Sequence, residues 1–196
     1  SGAMHSPLPQ AEFKKTSQNN VYAWGMDYAC ANGVMEDDGD RIPSEKEIDE
    51  IIQHFRAKDL LFMWWTSAAI LETKGFEFGG RLTGIVLDMS RGIPQQVSTS
   101  ADLKIVTAQT ESELKVFTYL SANAFAMSPK ATEQWIGINH ALVKSGELVH
   151  FLAYSKGVPV GTATLSTSPS SAGIWNLATA PEHRKHGVGS ALVQTA

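Results

Sequence analysis

The residues best suited to chemistry lie between Ile174 and Leu192, a segment that reads Ile-Trp-Asn-Leu-Ala-Thr-Ala-Pro-Glu-His-Arg-Lys-His-Gly-Val-Gly-Ser-Ala-Leu. It joins a short apolar strand, a turn rich in Arg, Lys and His, and Gly187-Val188-Gly189 at the start of a helix. The first amides of a helix have no internal acceptor, and the helix dipole favours an anion there. Glycine lets a phosphate reach the backbone without meeting a Cβ. Arg184 beside a helix start is unfavourable unless an anion binds, so its presence itself points to one. The chemistry expected is a pyrophosphate cradle made mostly of backbone.

Other phosphate-binding readings fail on spacing. A dinucleotide fingerprint needs a third glycine, and position 192 is Leu. A P-loop needs Gly-Lys-Ser/Thr, which this turn lacks. His183 and His186 straddle a turn with no third ligand, so no metal site is expected. The acidic run Glu36-Asp37-Asp38-Gly39-Asp40 reads as a solvated turn, because Arg41-Ile42-Pro43 breaks the ligand series of a calcium loop.

The elements that must position this segment are legible upstream. Leu103 to Ala108 reads as a strand, and Thr110-Glu111-Ser112-Glu113 as a capping box opening a helix with Leu114, Phe117, Leu120 and Ala124 on one face. Ser128-Pro129 starts a second helix with Ala131, Trp135, Ile138 and Leu142 as its stripe. A hairpin follows, Leu148 to Tyr154 and Val158 to Leu165 around Ser155-Lys156-Gly157, and then the strand Ile174 to Thr179. In the first half, residues 5–42 read as polar and aperiodic. Ser44 then caps a helix carrying Ile48, Ile51, Ile52 and Phe55, and Leu60 to Trp65 reads as a buried strand whose Trp64 and Trp65 face opposite layers. A short helix from Ser67 to Lys74 and a strand from Arg81 to Met89 complete this half. Ser90 to Ala101, polar and broken by Gly and Pro, is the expected linker. The expected fold class is α/β.

The order strand, helix, helix, hairpin, strand, then Arg184-Lys185-His186-Gly187-Val188-Gly189 resembles the GNAT superfamily of N-acetyltransferases, whose phosphate motif is Gln/Arg-x-x-Gly-x-Gly/Ala. The resemblance implies a GNAT-like mixed central sheet flanked by helices, spanning residues 101–196. It also implies, from Phe62-Met63-Trp64-Trp65 and Gly80 to Asp88, a smaller degenerate GNAT-like α/β lobe over residues 5–100. It implies acetyl-CoA as co-substrate and an amine as acceptor. Backbone groups of Leu177 and Thr179 would pair with the pantetheine arm. An amide on the Leu177–Ala178 stretch would polarise the thioester carbonyl. The amides of Lys185, His186, Gly187, Val188, Gly189 and Ser190 would hold the pyrophosphate, with Arg184 adding charge.

Two departures follow from the same resemblance. Many members place a Glu base early on the fourth strand, and that position here is Gly173. Asn176, His150, Tyr154 or a water chain are the substitutes; His150 and Tyr154 share a strand face by alternation. The family also continues past the phosphate helix with a fifth strand and a Tyr general acid. The chain is therefore expected to be a truncated acyltransferase, inactive or weakened alone, or one completed by a dimer partner or second chain. The alternative reading is a non-catalytic module that holds CoA or a partner protein.

Composition bounds these readings. The 196 residues are 43% hydrophobic with a net charge of −4, which excludes a disordered chain. A single cysteine excludes a disulfide scaffold and fits a cytoplasmic compartment. Leu60 to Leu71 is too short to cross a bilayer, and Ser1-Gly2-Ala3-Met4 reads as a tag remnant. No basic stripe predicts nucleic acid. The first hundred residues are acidic, with 9 Lys and Arg against 14 Asp and Glu, which would steer a cationic amine. Aminoglycosides, polyamines, amino acids and protein amines all remain open as acceptors.

Overall fold

A computed structural model describes residues 11–16, 18–38, 41–81, 85–88, 102–146 and 148–196. The chain forms two compact units that divide between residues 95 and 96. The linker expected at Ser90 to Ala101 lies outside the described residues.

The first unit is a four-stranded sheet of β1 (Glu12–Lys15), β2 (Asn19–Ala23), β3 (Asn32–Glu36) and β4 (Met63–Trp65), in that order. β1, β2 and β3 are antiparallel, and β4 runs parallel to β3. The helix α1 (Glu45–Arg56) buries Ile48, Ile51 and Phe55, and Phe55 stacks on Phe62 at 4.2 Å. Ser44 accepts from the Glu47 amide, but the Glu47 carboxylate turns to Arg41 and Asn19 rather than back to the cap, so only half of the capping box forms. Trp64 donates to Glu36 and Trp65 to the Tyr22 hydroxyl.

Four expectations for this unit are corrected. The aperiodic stretch 5–42 holds three strands; β1 is fully exposed and β2 runs two asparagines and then Val21-Tyr22-Ala23, so neither shows a hydrophobic alternation to read. The strand expected from Leu60 narrows to Met63–Trp65. Residues 85–88 of the strand expected at Arg81 to Met89 are not in a strand, and Ile85 and Val86 are exposed; 82–84 and 89 lie outside the described residues. The helix expected from Ser67 is a 3₁₀ turn, Ala69–Lys74, stopped by Gly75 in the left-handed region.

The second unit is an antiparallel sheet of β5 (Leu103–Thr107), β6 (Leu148–Ser155), β7 (Val158–Thr167) and β8 (Ala172–Thr179). Lys156 and Gly157 both have positive φ, the backbone a two-residue hairpin turn requires. Helices α2 (Glu111–Ala124) and α3 (Pro129–Ser145) begin at Thr110 and Ser128, whose hydroxyls accept from helix amides; at Thr110 the reciprocal Glu113 bond is present too. Side-chain alternation on β6 separates two cores. Leu152 packs with Leu114 and Phe117 of α2, whereas Phe151 and Ala153 pack with Val188 and Leu192 of α4 (Val188–Thr195). The sheet therefore has α2 and α3 on one face and α4 on the other. The buried face of α2 runs through Leu114, Phe117, Thr118 and Ser121 rather than through Leu120 and Ala124; the polar members of this face bond to Asn139 and Thr162. Among the described residues no helix is long and apolar enough to cross a membrane.

Candidate functional site

Among the described residues β8 is bonded on one side only, to β7. Its register breaks midway. Ala178 faces Thr162 and Trp175 faces Thr164, so Asn176 and Leu177 together stand against the single residue Ala163. This is a β-bulge, and Asn176 takes a φ of 50°, a conformation asparagine tolerates better than most residues. Beyond it the ladder resumes, with the Ala180 amide donating to the Val160 carbonyl at 2.9 Å. Alternation from that bond turns the amide and carbonyl of Ala178 toward β7, and those of Leu177 and Thr179 toward the open edge. The Thr179 carbonyl accepts from Arg184 Nε at 3.2 Å, which ties the cation of the turn to that edge.

The turn and α4 complete the site. Lys185 (φ 62°) and Gly187 (φ 80°) are both left-handed, and Gly187 is the N-cap of α4. No side chain caps this helix, unlike α1, α2 and α3. The first bond to the cap runs from the Ala191 amide to Gly187, leaving the amides of Val188, Gly189 and Ser190 without an intrahelical acceptor. Val188 is buried, so its side chain anchors the helix while its amide stays at the helix start. A Cβ built on Gly189 would have Thr179 Oγ1 as its nearest neighbour, at 3.9 Å, so the glycine keeps the space between helix start and strand open. Gly161 brings α4 onto the sheet: a Cβ there would lie 2.7 Å from Val188 Cγ1 and 3.0 Å from the Ala178 carbonyl.

Leu177, Ala178 and Thr179 thus come together with Arg184 and the Gly187–Ser190 turn. Lys185 and His186 are exposed on that turn. His150 and Tyr154 are not brought there. β7 separates their strand from β8, and Tyr154 packs beside the core of α2. His150 is 1% exposed, stacked on Phe117 at 4.2 Å, and bonded through Nδ1 to Thr164 Oγ1 at 2.8 Å. Burial pushes its imidazole down to about 4, and its Nε2 has no partner. A ring enclosed in this way has no path to an amine arriving from solvent, so the expected role as base is not supported by its position.

The structure also accounts for Gly173. A Cβ there would lie 2.7 Å from Trp175 Nε1 and 3.1 Å from Ser166 Oγ, and the Trp175 indole donates to that same Ser166 hydroxyl. The exposed indole crowds the position a Cβ would take. Thr162 and Thr164, which bond to Asn176 in the bulge, and Ser121, which donates to Thr162, are not among the residues expected from the sequence. Their polar side chains in otherwise apolar segments were the available signal. Among the described residues no cluster of three metal-ligating side chains exists.

Residues 113–196 match the sequence profile of the Acetyltransferase (GNAT) family. The fold is similar to that of a GCN5-related N-acetyltransferase from Kribbella flavida, with a TM-score of 0.63 over 98% of this chain and 77% of that one, at 12% identity. Two shorter likenesses have lower scores. A "predicted acetyltransferase with acetyl-CoA" from Clostridium acetobutylicum is 11% identical over 47% of this chain and 70% of its own, at a TM-score of 0.41. An aminoglycoside acetyltransferase from an uncultured soil metagenomic sample is 21% identical over 47% of this chain and 68% of its own, at 0.37. No curated protein matches the sequence.

Proposed function

We propose that the second unit, as the GNAT domain of residues 101–196, binds acetyl-CoA and passes the acetyl group to a primary amine by direct attack. Residues 5–100 form a degenerate GNAT-like lobe ahead of it. The observation that carries this reading is the open edge of β8 at Leu177 and Thr179 beside an uncapped, glycine-started helix.

The residues fit the group. The amides of Val188, Gly189 and Ser190, and of Lys185, His186 and Gly187 on the turn, hold the pyrophosphate, and Arg184 supplies positive charge. The Thr179 amide and the Leu177 edge pair with the pantetheine arm as an added strand would; the Thr179 carbonyl is already engaged by Arg184. Acetyl-CoA supplies the acetyl group as an activated thioester. The Leu177 amide, next to the bulge, donates to its carbonyl and stabilises the charge that develops on that oxygen. The chain's main contribution is alignment of amine and thioester. A water chain would remove the amine proton, because His150 is enclosed and Gly173 has no carboxylate; the thioester C–S bond would break as the amide forms, and CoA would leave as a thiolate that takes up a proton from solvent. The acceptor is a cationic small molecule or protein amine, drawn by the acidic first half. An exposed, unpaired Cys30 suits a cytoplasmic setting.

Titration calorimetry with acetyl-CoA tests this. Saturable binding that Gly187→Glu abolishes is expected. No saturation at about millimolar ligand, the weak end of specific affinity, overturns it. The crowding at Gly173 favours a second reading, a module that holds CoA without turning it over. Acetyl transfer above background across a panel of amines separates the two.

A further inference from the structure

The bulge of β8 is held by side chains from outside the strand. A bulge takes Asn176 off the backbone ladder, so its carbonyl must find a donor or stand buried without one, at a cost of about 1–3 kcal/mol. The donor is Thr162: its hydroxyl bonds to the Asn176 carbonyl at 2.9 Å. That hydroxyl is itself oriented, because Ser121 Oγ on α2 donates to Thr162 Oγ1 at 3.0 Å. Both Ser121 and Thr162 are fully buried, so solvent cannot replace either bond. Two residues along β7, Thr164 Oγ1 accepts from the Asn176 side-chain amide at 3.2 Å and is bonded to His150 on its other side. Thr162 grips the backbone of Asn176, and Thr164 grips its side chain.

We infer that Thr162, oriented by Ser121, is a positioning residue that fixes the left-handed bend at Asn176 and thereby aims the Leu177 amide at the open edge. This rests on the proposed function, since the amide is aimed at the thioester carbonyl. The hydroxyl acts one residue away from the amide that would touch the acetyl group. Its removal should spoil recognition of that group while leaving the pyrophosphate cradle intact.

Affinities for acetyl-CoA and for free CoA, measured side by side, read this out. The wild-type chain should bind acetyl-CoA more tightly than CoA by about fivefold, the worth of one hydrogen bond. Thr162→Val keeps the side-chain shape and removes the hydroxyl. It should bring the two affinities to within about twofold of each other with the CoA affinity unchanged, and Thr162→Ser should restore the gap. A Thr162→Val protein that keeps the gap, or that loses both affinities in parallel, overturns the inference. Carbon-13 shifts of Asn176, which report its backbone conformation, provide an arm that needs no ligand. They should move in Thr162→Val and return in Thr162→Ser, and unmoved shifts overturn the inference. If the wild-type chain binds neither compound, the proposed function fails, and the Asn176 shifts still decide whether Thr162 sets the bend.

Discussion

Arg184 Nε lies 3.2 Å from the carbonyl oxygen of Thr179, linking the turn before α4 to the exposed edge of β8. The two residues are five apart in sequence, and the contact closes the loop over a 3₁₀ turn, Pro181–His183. It leaves the glycine-started helix and the last residue of the strand sharing one small space. The predictions below concern what keeps that space open and what holds its walls.

Gly189→Ala should stabilise the chain and weaken its site. The added methyl meets nothing closer than Thr179 Oγ1 at 3.9 Å, and alanine is favoured over glycine in a helix by about 1 kcal/mol. The melting temperature should rise while acetyl-CoA affinity falls severalfold. Unchanged affinity in calorimetry would show that the gap beside Thr179 holds no ligand.

Gly161→Ala should have the opposite character. Its Cβ would press on Val188 Cγ1 at 2.7 Å and on the Ala178 carbonyl at 3.0 Å, so α4 must move off the sheet. A loss of about 1–3 kcal/mol in urea unfolding is expected, with cofactor affinity lost alongside it. Wild-type stability would mean that α4 can shift freely.

Gly187 limits substitution through its backbone conformation. At a φ of 80°, Gly187→Asn should cost less stability than Gly187→Ala, whose penalty is about 1 kcal/mol. Chemical denaturation of the pair checks the order, and the reverse order would refute it.

His150 should make the second unit sensitive to mild acid. Its folded-state value is depressed to about 4 by burial, whereas the unfolded chain titrates near the ordinary 6.5. Below 6.5 the unfolded chain binds a proton that the folded one refuses. Stability is therefore full above 6.5 and declines as the pH falls toward 4. Denaturation across this window should show the decline, and His150→Gln should flatten it. An unaltered slope in the variant would assign the effect to other groups.

Gly173→Glu should not install a base. A Cβ there would press on the Trp175 indole at 2.7 Å, so the substitution should displace the indole from Ser166 and change the tryptophan emission without raising any acetyl transfer. A gain in rate with unchanged emission would contradict the packing.

Local signals in the sequence were enough for the helices of the second unit, their Thr110 and Ser128 caps, the hairpin and the turn before the last helix. Each depends on residues within a few positions of one another, where propensity and capping act directly. The Gly187-Val188-Gly189 start was legible for the same reason. The strands β1 to β3 were not legible, because the sheet they form rests on a few buried contacts, such as Ala23 and Val34 against Phe55. Nor was the bulge at Asn176, since a bulge is a mismatch in register between two strands and has no meaning for either alone. The partners that set it, Ser121, Thr162 and Thr164, are up to 55 residues from Asn176 in sequence. Only the packed sheet decided that His150 is enclosed and that Trp175 crowds Gly173, because both depend on which face of a strand meets which neighbour.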